Sequence, residues 1–203
     1  AYTLAMLFDA EADRLNLSPR VSIFATDIDE QMLEMAREAR YLASALSDIP
    51  ESFRERYTIQ HGDHFRITPG VRDMVRFSPH SVIKDPPFSR LSLVCCRNLL
   101  IYFGEELQSM VLPIFHYALK PGGYLFLGPS ETTGRSEYLF SPLDHKARIF
   151  SRNEADVRQP VRMPFAGGRG HAPMRAQGGG RRATSEGRSL ALERLADRYA
   201  RPC

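Results

Sequence analysis

The sequence predicts an α/β fold built on a mostly parallel β-sheet. Strand-like runs rich in β-branched and aromatic residues alternate with amphipathic helical runs through residues 1–150. Charged residues stand at or just beyond the ends of two of these runs, at Asp27 and Arg97. Sheets of this class bind ligands at the carboxyl ends of their strands, so the same pattern also predicts where a binding site would lie.

The first part of the chain has clear helix and strand signals. Residues 1–15 show helical periodicity from the first residue, and the apolar run Val21–Thr26 predicts a strand. Asp29–Arg40 predicts a second helix with its apolar residues on one face, and a short helical segment follows near Ser52–Arg56. One strand between two helices, followed by a short third helix, is therefore expected before residue 60.

Residues 64–78 predict a small antiparallel appendage. Two short alternating runs, His64–Thr68 and Met74–Ser78, are separated by Pro69-Gly70, a dipeptide typical of turns. We therefore expect the two runs to pair with each other as a hairpin that projects from the main sheet.

The strand and helix pattern resumes after residue 90. The predicted elements are a strand at Leu91–Cys95, a helix at Glu105–Leu119, a turn at Lys120–Gly123, and strands at Tyr124–Gly128 and Ala147–Phe150. Arg97 interrupts the apolar run Leu91–Phe103. Because burying an unpaired guanidinium is very costly, the strand is predicted to end just before that residue.

The end of the chain differs in composition from the rest. Residues 151–203 contain 11 arginines and five acidic residues, a net charge of +6, which leaves −3 for residues 1–150 within the total of +3. Residues 152–188 are rich in Arg, Gly and Pro, which predicts a disordered linker, and an apolar stripe predicts a short amphipathic helix at 189–203. Aromatic residues are scarce between the arginines, so nucleic-acid binding is the minority interpretation.

Several classes of protein are disfavoured by the sequence. No apolar run approaches the roughly 18 residues of a membrane span, and no signal-peptide pattern opens the sequence, so a cytoplasmic location is expected. The three cysteines form neither a disulfide framework nor a paired metal motif, and Cys95 and Cys96 are interpreted as small buried packing residues. His61 and His64 lack an obvious third ligand, so no metal site is predicted.

Two strand ends supply the candidate binding residues. A carboxylate at Asp27 can accept hydrogen bonds from adjacent ribose hydroxyls, as in nucleoside-binding folds. Asp27 or Asp29 can instead cap the next helix, and because they are two residues apart one can cap while the other binds. At the second strand end, Arg97 can hold a carboxylate or pair with an acid at the core edge, and Asn98 can orient a loop or cap a helix.

Three segments together resemble one known family. They are ATDIDEQMLEMAREARY (25–41), FSPHSVIKDPPFSRLSLVCCRNLLIYF (77–103) and LKPGGYLFLGPSE (119–131). These segments resemble the chemotaxis receptor methyltransferases, the CheR family, and DPPFSRL is most similar to the CheB/CheR fusion forms. The resemblance covers about residues 1–151.

The resemblance implies a fold, an activity and a partner. It implies a Rossmann-like sheet, here incomplete at its N-terminus, with a small antiparallel β-subdomain at about residues 57–78 that faces the receptor. The implied activity is methylation of glutamate side chains on the cytoplasmic helices of chemoreceptors, with S-adenosylmethionine as the cofactor. A glutamate carboxylate, with a pKa of about 4.3, is already ionised at neutral pH, so neither a strong base nor a metal is expected.

The resemblance also implies roles for individual residues. Asp27 matches the acid that holds the cofactor ribose, and Arg97 with Asn98 matches a cofactor-contacting pair. Tyr102 matches a tyrosine near the transferred methyl group, so Tyr102 and Arg97 are the catalytic candidates. We expect Asp27 and Arg97 to lie on one sheet edge within one cofactor-sized cleft.

Two further positions match the adenine-binding part of the family pattern. Val82 matches a residue beside the adenine. Ser81 stands where the family usually has asparagine, and its shorter side chain is expected to make fewer contacts.

Part of the family pattern is expected before Ala1. The glycine-rich cofactor loop, the first strand and an N-terminal helical domain would lie there, so we expect the chain as given to bind the cofactor weakly. Two function classes follow: a protein-glutamate methyltransferase or its catalytic part, and a truncated, non-catalytic interaction module of a signalling protein. A related methyltransferase with another acceptor is a third alternative.

Overall fold

Residues 1–154 are described here by a computed structural model. The chain divides into two units, one from Ala1 to Ser81 and one that begins at Val82, each with its own sheet and hydrophobic core. Most of the predicted linker at 152–188 and all of the predicted helix at 189–203 lie outside the described residues.

The first unit alternates helices with short strands. In chain order its elements are α1 (Tyr2–Arg14), β1 (Ile23–Asp27), α2 (Glu30–Glu38), β2 (Arg40–Leu42), a 3₁₀ helix (Ala43–Asp48), α3 (Glu51–Tyr57), β3 (Thr58–His61), β4 (His64–Ile67), α4 (Pro69–Asp73) and β5 (Val75–Pro79). The first two predicted helices, the first strand and the short helix near 52–56 are confirmed, with boundaries shifted by a few residues.

A parallel strand pair forms one sheet of the first unit. Strand β1 pairs with β5 from Ile23 opposite Val75 to Asp27 opposite Pro79, so both strands end at the same place. Helix α2 follows β1 directly and packs against both strands. The carboxyl ends of β1 and β5 therefore present their following residues side by side.

The predicted hairpin of residues 64–78 is wrong. Strand β4 pairs antiparallel with β3 and with β2, which gives a three-stranded sheet in the order β2-β4-β3. Pro69-Gly70 opens helix α4 instead of a turn, because proline at the first helical position sacrifices no intrahelical hydrogen bond. The second run joins β1 as parallel strand β5, since an alternating pattern does not specify the strand's partner.

The core of the first unit lies between α1, the antiparallel sheet and β5. Its buried residues are Tyr2, Ala5, Met6, Ala39, Tyr57, Phe65, Ile67, Val71 and Val75. The hydroxyl of Tyr2 also donates to the carbonyl of Ala36 at 2.9 Å, which links α1 to α2. Helix α1 is thus fixed by both apolar burial and a polar contact.

The second unit is a four-stranded mixed sheet with one long helix. Its elements are β6 (Leu91–Cys96), a 3₁₀ helix (Leu100–Tyr102), α5 (Glu105–Ala118), β7 (Leu119–Leu127), a second 3₁₀ helix (Gly134–Leu139), β8 (Phe140–Asp144) and β9 (Ile149–Arg152). The strand order is β6-β7-β9-β8, with β6 and β7 parallel and the other pairs antiparallel.

The predicted turn at Lys120–Gly123 lies inside β7 as an irregularity in pairing. Leu91 of β6 pairs with Leu119, but Leu93 pairs with Tyr124, so the intervening residues bulge out of the ladder. A Cβ at Gly123 would lie 2.8 Å from the carbonyl oxygen of Lys120, which is too close for any other residue. Glycine there lets β7 re-enter the ladder.

The second core lies between α5 and the sheet. Helix α5 contributes Val111, Leu112 and Phe115, and the sheet contributes Leu125, Leu127 and Phe150. Strand β8 and the short strand β2 were not predicted, and the last strand lies at Ile149–Arg152, slightly later than expected. Within residues 1–154, no helix is long and apolar enough to cross a membrane.

The antiparallel sheet provides a test of packing. Phe65 of β4 is 2% exposed and its ring lies 5.5 Å from that of Tyr41, whereas Ile59 on β3 is 43% exposed. F65A should lower the free energy of unfolding by about 3–5 kcal/mol, and I59A by less than about 1 kcal/mol. Urea denaturation of both variants measures the difference, and equal losses would contradict this core assignment.

His116 predicts a pH dependence of stability. It is 2% exposed, with Nε2 2.9 Å from the carbonyl oxygen of Asn153, and burial lowers its pKa below the ordinary 6.5. The unfolded chain therefore takes up a proton at higher pH than the folded chain. The free energy of unfolding should be highest above about pH 6.5 and fall as the pH drops below it.

H116Q tests this pH dependence because glutamine keeps a side-chain N–H for Asn153. The variant should flatten the fall in unfolding free energy between about pH 7.5 and 5.5, whereas H145Q at an exposed position should leave the slope unchanged. Denaturation at a series of pH values measures both slopes. A parent-like slope in H116Q would show that another group is responsible.

Candidate functional site

The first set of candidate residues lies at the carboxyl ends of β1 and β5, which we call the β1 end (Asp27–Asp29 and His80–Ser81). Asp27 is the last residue of β1 and pairs with Pro79, the last residue of β5. The backbone N–H of His80 donates to the carbonyl of Asp27 at 3.0 Å, which extends the pairing beyond the strands. Asp27 and the segment that carries Ser81 therefore leave the sheet together.

The two acids of the β1 end have different hydrogen-bonding roles. Asp29 is the N-cap of α2, because its Oδ1 accepts from the backbone N–H groups of Gln31 at 2.9 Å and Met32 at 3.1 Å. The Oδ1 of Asp27 accepts from the N–H groups of Ile28 at 2.7 Å and Asp29 at 3.1 Å. Of the two acids that the sequence offered as the N-cap of the helix, Asp29 is the one that caps it.

Asp27 keeps part of its carboxyl group available to a ligand. Its side chain is exposed, and within residues 1–154 no group donates a hydrogen bond to its second oxygen, Oδ2. The bonds at Oδ1 fix the orientation of the carboxyl group. This arrangement suits an acceptor for hydroxyl groups such as those of a ribose.

The second set of residues lies at the carboxyl end of β6, which we call the β6 end (Arg97–Tyr102). Strand β6 stops at Cys96, and Arg97 is exposed immediately after it, as predicted. The guanidinium carbon lies 5.1 Å from the ring centroid of Phe126 on neighbouring β7. A cation–π contact of this kind holds the guanidinium over the edge of the sheet.

The sequence left open an ion pair between Arg97 and an acid at the core edge. Within residues 1–154, no acidic side chain forms an ion pair with this guanidinium. The buried acid of the same region, Glu131, directs its carboxyl oxygens to backbone amides instead. The hydrogen-bonding fork of Arg97 is therefore available to an external carboxylate.

Asn98 forms a left-handed turn between the strand and the following 3₁₀ helix. Its φ is +60°, a region that asparagine tolerates better than most residues. The N-cap residue of the 3₁₀ helix is Leu99, so Asn98 does not cap this helix. Its other predicted structural role, orienting the loop, stays a prediction.

Glu131 is a residue of this region that sequence reasoning missed. Its Oε1 accepts from the backbone N–H groups of Leu99 and Leu100, both at 2.8 Å, and its Oε2 accepts from Gly128 N–H at 2.6 Å. The residue lies in a turn after β7, 31 positions from Leu100 in sequence. The only available signal was its place at the end of the segment LKPGGYLFLGPSE.

Tyr102 ends the short helix of the β6 end. Its side chain is 79% exposed, and its backbone N–H donates to the carbonyl of Leu99 at 3.1 Å. The side-chain amide of Gln108 braces the same loop by donating to the carbonyls of Leu100 at 3.0 Å and Phe103 at 2.9 Å. A fixed backbone thus presents an exposed phenol.

Ser81 and Val82 stand where the chain passes from the first unit to the second. Ser81 is half-buried at the end of the first unit, and Val82 packs against the core of the second. Their contact with an adenine stays a prediction. The expectation that Asp27 and Arg97 share one cleft also stays a prediction, because the two residues belong to different units.

Cys95 and Cys96, the cysteines that the structure describes, differ in burial. Cys96 is buried, and burial raises the pKa of its thiol to about 12, but Cys95 is exposed, so its predicted burial is wrong. The cause is its alternate position on β6, which points it away from the core that receives Cys96.

His61 and His64 are paired opposite each other in the β3–β4 hairpin, and His64 contacts Asp63 and Arg40. Within the described part of the chain, no cluster of three or more His, Cys, Asp or Glu side chains could hold a metal ion.

Several known proteins are similar to this chain. A Rhodobacter capsulatus protein, an uncharacterized 104.1 kDa protein, is 41% identical over 74% of this chain and 16% of its own length. The Pseudomonas putida protein Cher3 is 35% identical over 75% of this chain and 58% of its own. A chemotaxis protein methyltransferase of Vibrio parahaemolyticus is 36% identical over 64% of this chain and 49% of its own.

The chain thus spans less than two thirds of these relatives. The family model described as "CheR methyltransferase, SAM binding domain" matches residues 1–149, where SAM is S-adenosylmethionine. That range contains both strand ends and every candidate residue described above. The chain belongs to the CheR methyltransferase family, whose cofactor is S-adenosylmethionine.

Proposed function

We propose that this chain is the cofactor-binding part of a protein-glutamate O-methyltransferase that modifies chemoreceptors. The observation that carries the proposal is the chemistry of its strand ends. Within residues 1–154, Oδ2 of Asp27 at the β1 end receives no hydrogen bond, and the Arg97 guanidinium at the β6 end forms no ion pair. Relatives named chemotaxis protein methyltransferase support the reaction and its setting.

The residues at the β1 end fit a nucleoside. Asp27 would accept hydrogen bonds from the ribose hydroxyls through Oδ2, while its Oδ1 stays bound to the backbone of Ile28 and Asp29. Ser81 and Val82 would contact the adenine. The parallel pairs β1–β5 and β6–β7 are consistent with the Rossmann-like class of sheet.

The residues at the β6 end fit a carboxylate. Arg97 would hold the cofactor's amino-acid carboxylate with two parallel N–H···O bonds, and Asn98 would contact the same part of the cofactor. The Phe126 ring limits the positions that the guanidinium can adopt, so less conformational entropy is lost on binding.

The chemistry of methyl transfer needs little from the protein beyond alignment. When bound, S-adenosylmethionine would supply an electrophilic methyl group to a glutamate carboxylate oxygen of the substrate. That carboxylate is ionised at neutral pH, with an ordinary pKa of about 4.3, so no side chain has to remove a proton. Tyr102 would position the reacting groups through its exposed hydroxyl and help to exclude water.

A receptor helix is the proposed partner, and the cytoplasm the proposed location. The antiparallel sheet β2-β4-β3 overlaps the predicted β-subdomain and presents Leu42 and Ile59 to solvent. Arg40 and Arg66, opposite each other on β2 and β4, are also exposed. A mixed apolar and basic surface of this kind suits an amphipathic helix with acidic residues.

Cofactor binding gives the first test of the proposal. D27N keeps the backbone hydrogen bonds but removes the charge, and it should raise the Kd for S-adenosylhomocysteine by roughly tenfold to hundredfold, since a hydrogen bond to a charged group contributes about 1.5–3 kcal/mol. D29N removes the same charge two residues away, and asparagine is an equally good N-cap.

Isothermal titration calorimetry of the parent, D27N and D29N measures these effects. D29N should bind with nearly the parent affinity. If both variants lose affinity equally, Asp27 has no specific role in binding the ribose.

Methyl transfer gives the second test. Y102F should lower kcat by about tenfold or more because a positioned hydrogen-bonding group is lost, with little change in cofactor affinity. Y138F, at a tyrosine that is 62% exposed in the same unit, serves as the control. Transfer of a labelled methyl group from S-adenosylmethionine to a receptor cytoplasmic fragment provides the assay.

The same assay distinguishes the alternative functions. Base-labile label on receptor glutamates is expected for the methyltransferase. Receptor binding without label would favour a non-catalytic interaction module, and label on another acceptor would contradict the proposed substrate.

A further inference from the structure

The carboxyl group of Glu131 joins the ends of the two parallel strands β6 and β7. Its Oε1 accepts from the Leu99 and Leu100 amides at 2.8 Å, just beyond β6, and its Oε2 accepts from the Gly128 amide at 2.6 Å, just beyond β7. The residue is 3% exposed. A buried carboxyl group that uses both oxygens in this way has its desolvation offset by backbone donors.

The bonds to Glu131 fix the turn that carries Arg97 and Asn98. The amides of Leu99 and Leu100 are among the first of the 3₁₀ helix, and such amides have no acceptor within the helix itself. Asn98, immediately before them, has the left-handed φ of +60°. Because this conformation carries an energetic cost for a residue other than glycine, an external acceptor for the next two amides helps to maintain it.

Gly128 provides the space for this contact. A Cβ at this position would lie 2.6 Å from Oε2 of Glu131 and 3.3 Å from both the backbone nitrogen and Oδ1 of Asn98. The glycine therefore lets the Glu131 carboxyl group and the Asn98 turn approach the end of β7 together. Any larger residue would have to displace one of them.

We propose that Glu131 is a positioning residue that holds the Arg97–Asn98 turn in its cofactor-binding geometry. The inference rests on the proposed function, because it assigns Glu131 a role through residues proposed to contact the cofactor. Glu131 itself touches backbone amides and acts by fixing the direction in which Arg97 leaves β6. Gly128 is part of the same arrangement.

The variant E131Q tests the proposal with little change in side-chain size. Glutamine has one acceptor oxygen and one NH₂ group, so its oxygen can accept either from the Leu99 and Leu100 amides or from the Gly128 amide. Its NH₂ group then lies against the remaining backbone N–H, and two donors face each other. E131D, which is too short to span both strand ends, provides a second variant if E131Q does not fold. F150L, at the buried position of β9, serves as a destabilised control with an intact turn.

Hydrogen exchange in the ligand-free protein forms the first arm. We expect E131Q to speed exchange by at least about tenfold at one or more of the Leu99, Leu100 and Gly128 amides. The comparison is with F150L, under conditions in which the two variants have the same free energy of unfolding. Unchanged exchange at all three amides would overturn the proposal, whether or not the protein binds a cofactor.

Calorimetry with S-adenosylhomocysteine forms the second arm. E131Q and G128A should each raise the Kd by about tenfold, whereas F150L should change it less than about twofold. In an R97M background, E131Q should raise the Kd by less than a further factor of about two, because the residue through which it acts is already gone. An equal factor in both backgrounds would show that Glu131 does not act through Arg97 and would contradict the positioning role.

The two arms distinguish failure of this proposal from failure of the proposed function. A parent protein that does not bind S-adenosylhomocysteine would contradict the proposed function and, with it, the cofactor role of Glu131. A parent that binds normally while E131Q retains full affinity would contradict the positioning role only.

Discussion

An unpaired charge enclosed in an apolar core is very costly, and the candidate site depends on this constraint. Asp27 ends β1 and Arg97 follows β6, so neither charge is enclosed by the cores that flank it. The exception is Glu131, which is buried but uses both carboxyl oxygens to satisfy backbone donors. The cost of burying its carboxyl group is thereby offset by order in the turn that carries Arg97 and Asn98.

The features predicted from sequence are those with local causes. Strand β1 and helix α5 have apolar patterns within their own residues, and the end of β6 follows from the cost of burying Arg97. The capping role of Asp29 was one of two alternatives that the sequence left open, and the structure decides it through bonds to Gln31 and Met32. Local patterns thus identified most elements and the residues at their ends.

The features that were missed depend on residues distant in sequence. Val75–Pro79 has the alternation of a hairpin strand, but its partner is β1, about fifty residues earlier, so the pairing could not be read from the run itself. Strand β2 has only three residues, all exposed, and exists because β4 accepts it as a neighbour. Glu131 has no local signal because its acceptor role is defined by amides on another strand end.

The central proposal is that the polar residues at the β1 end and those at the β6 end contact the cofactor. A titration of the ¹⁵N-labelled chain with S-adenosylhomocysteine, followed by amide chemical shifts, tests it most directly. We expect the amides of Ile28 and Asp29 at the β1 end, and those of Asn98 and Leu99 at the β6 end, to shift during the titration. Shifts confined to the β3–β4 hairpin, or no shift at one of the strand ends, would contradict it.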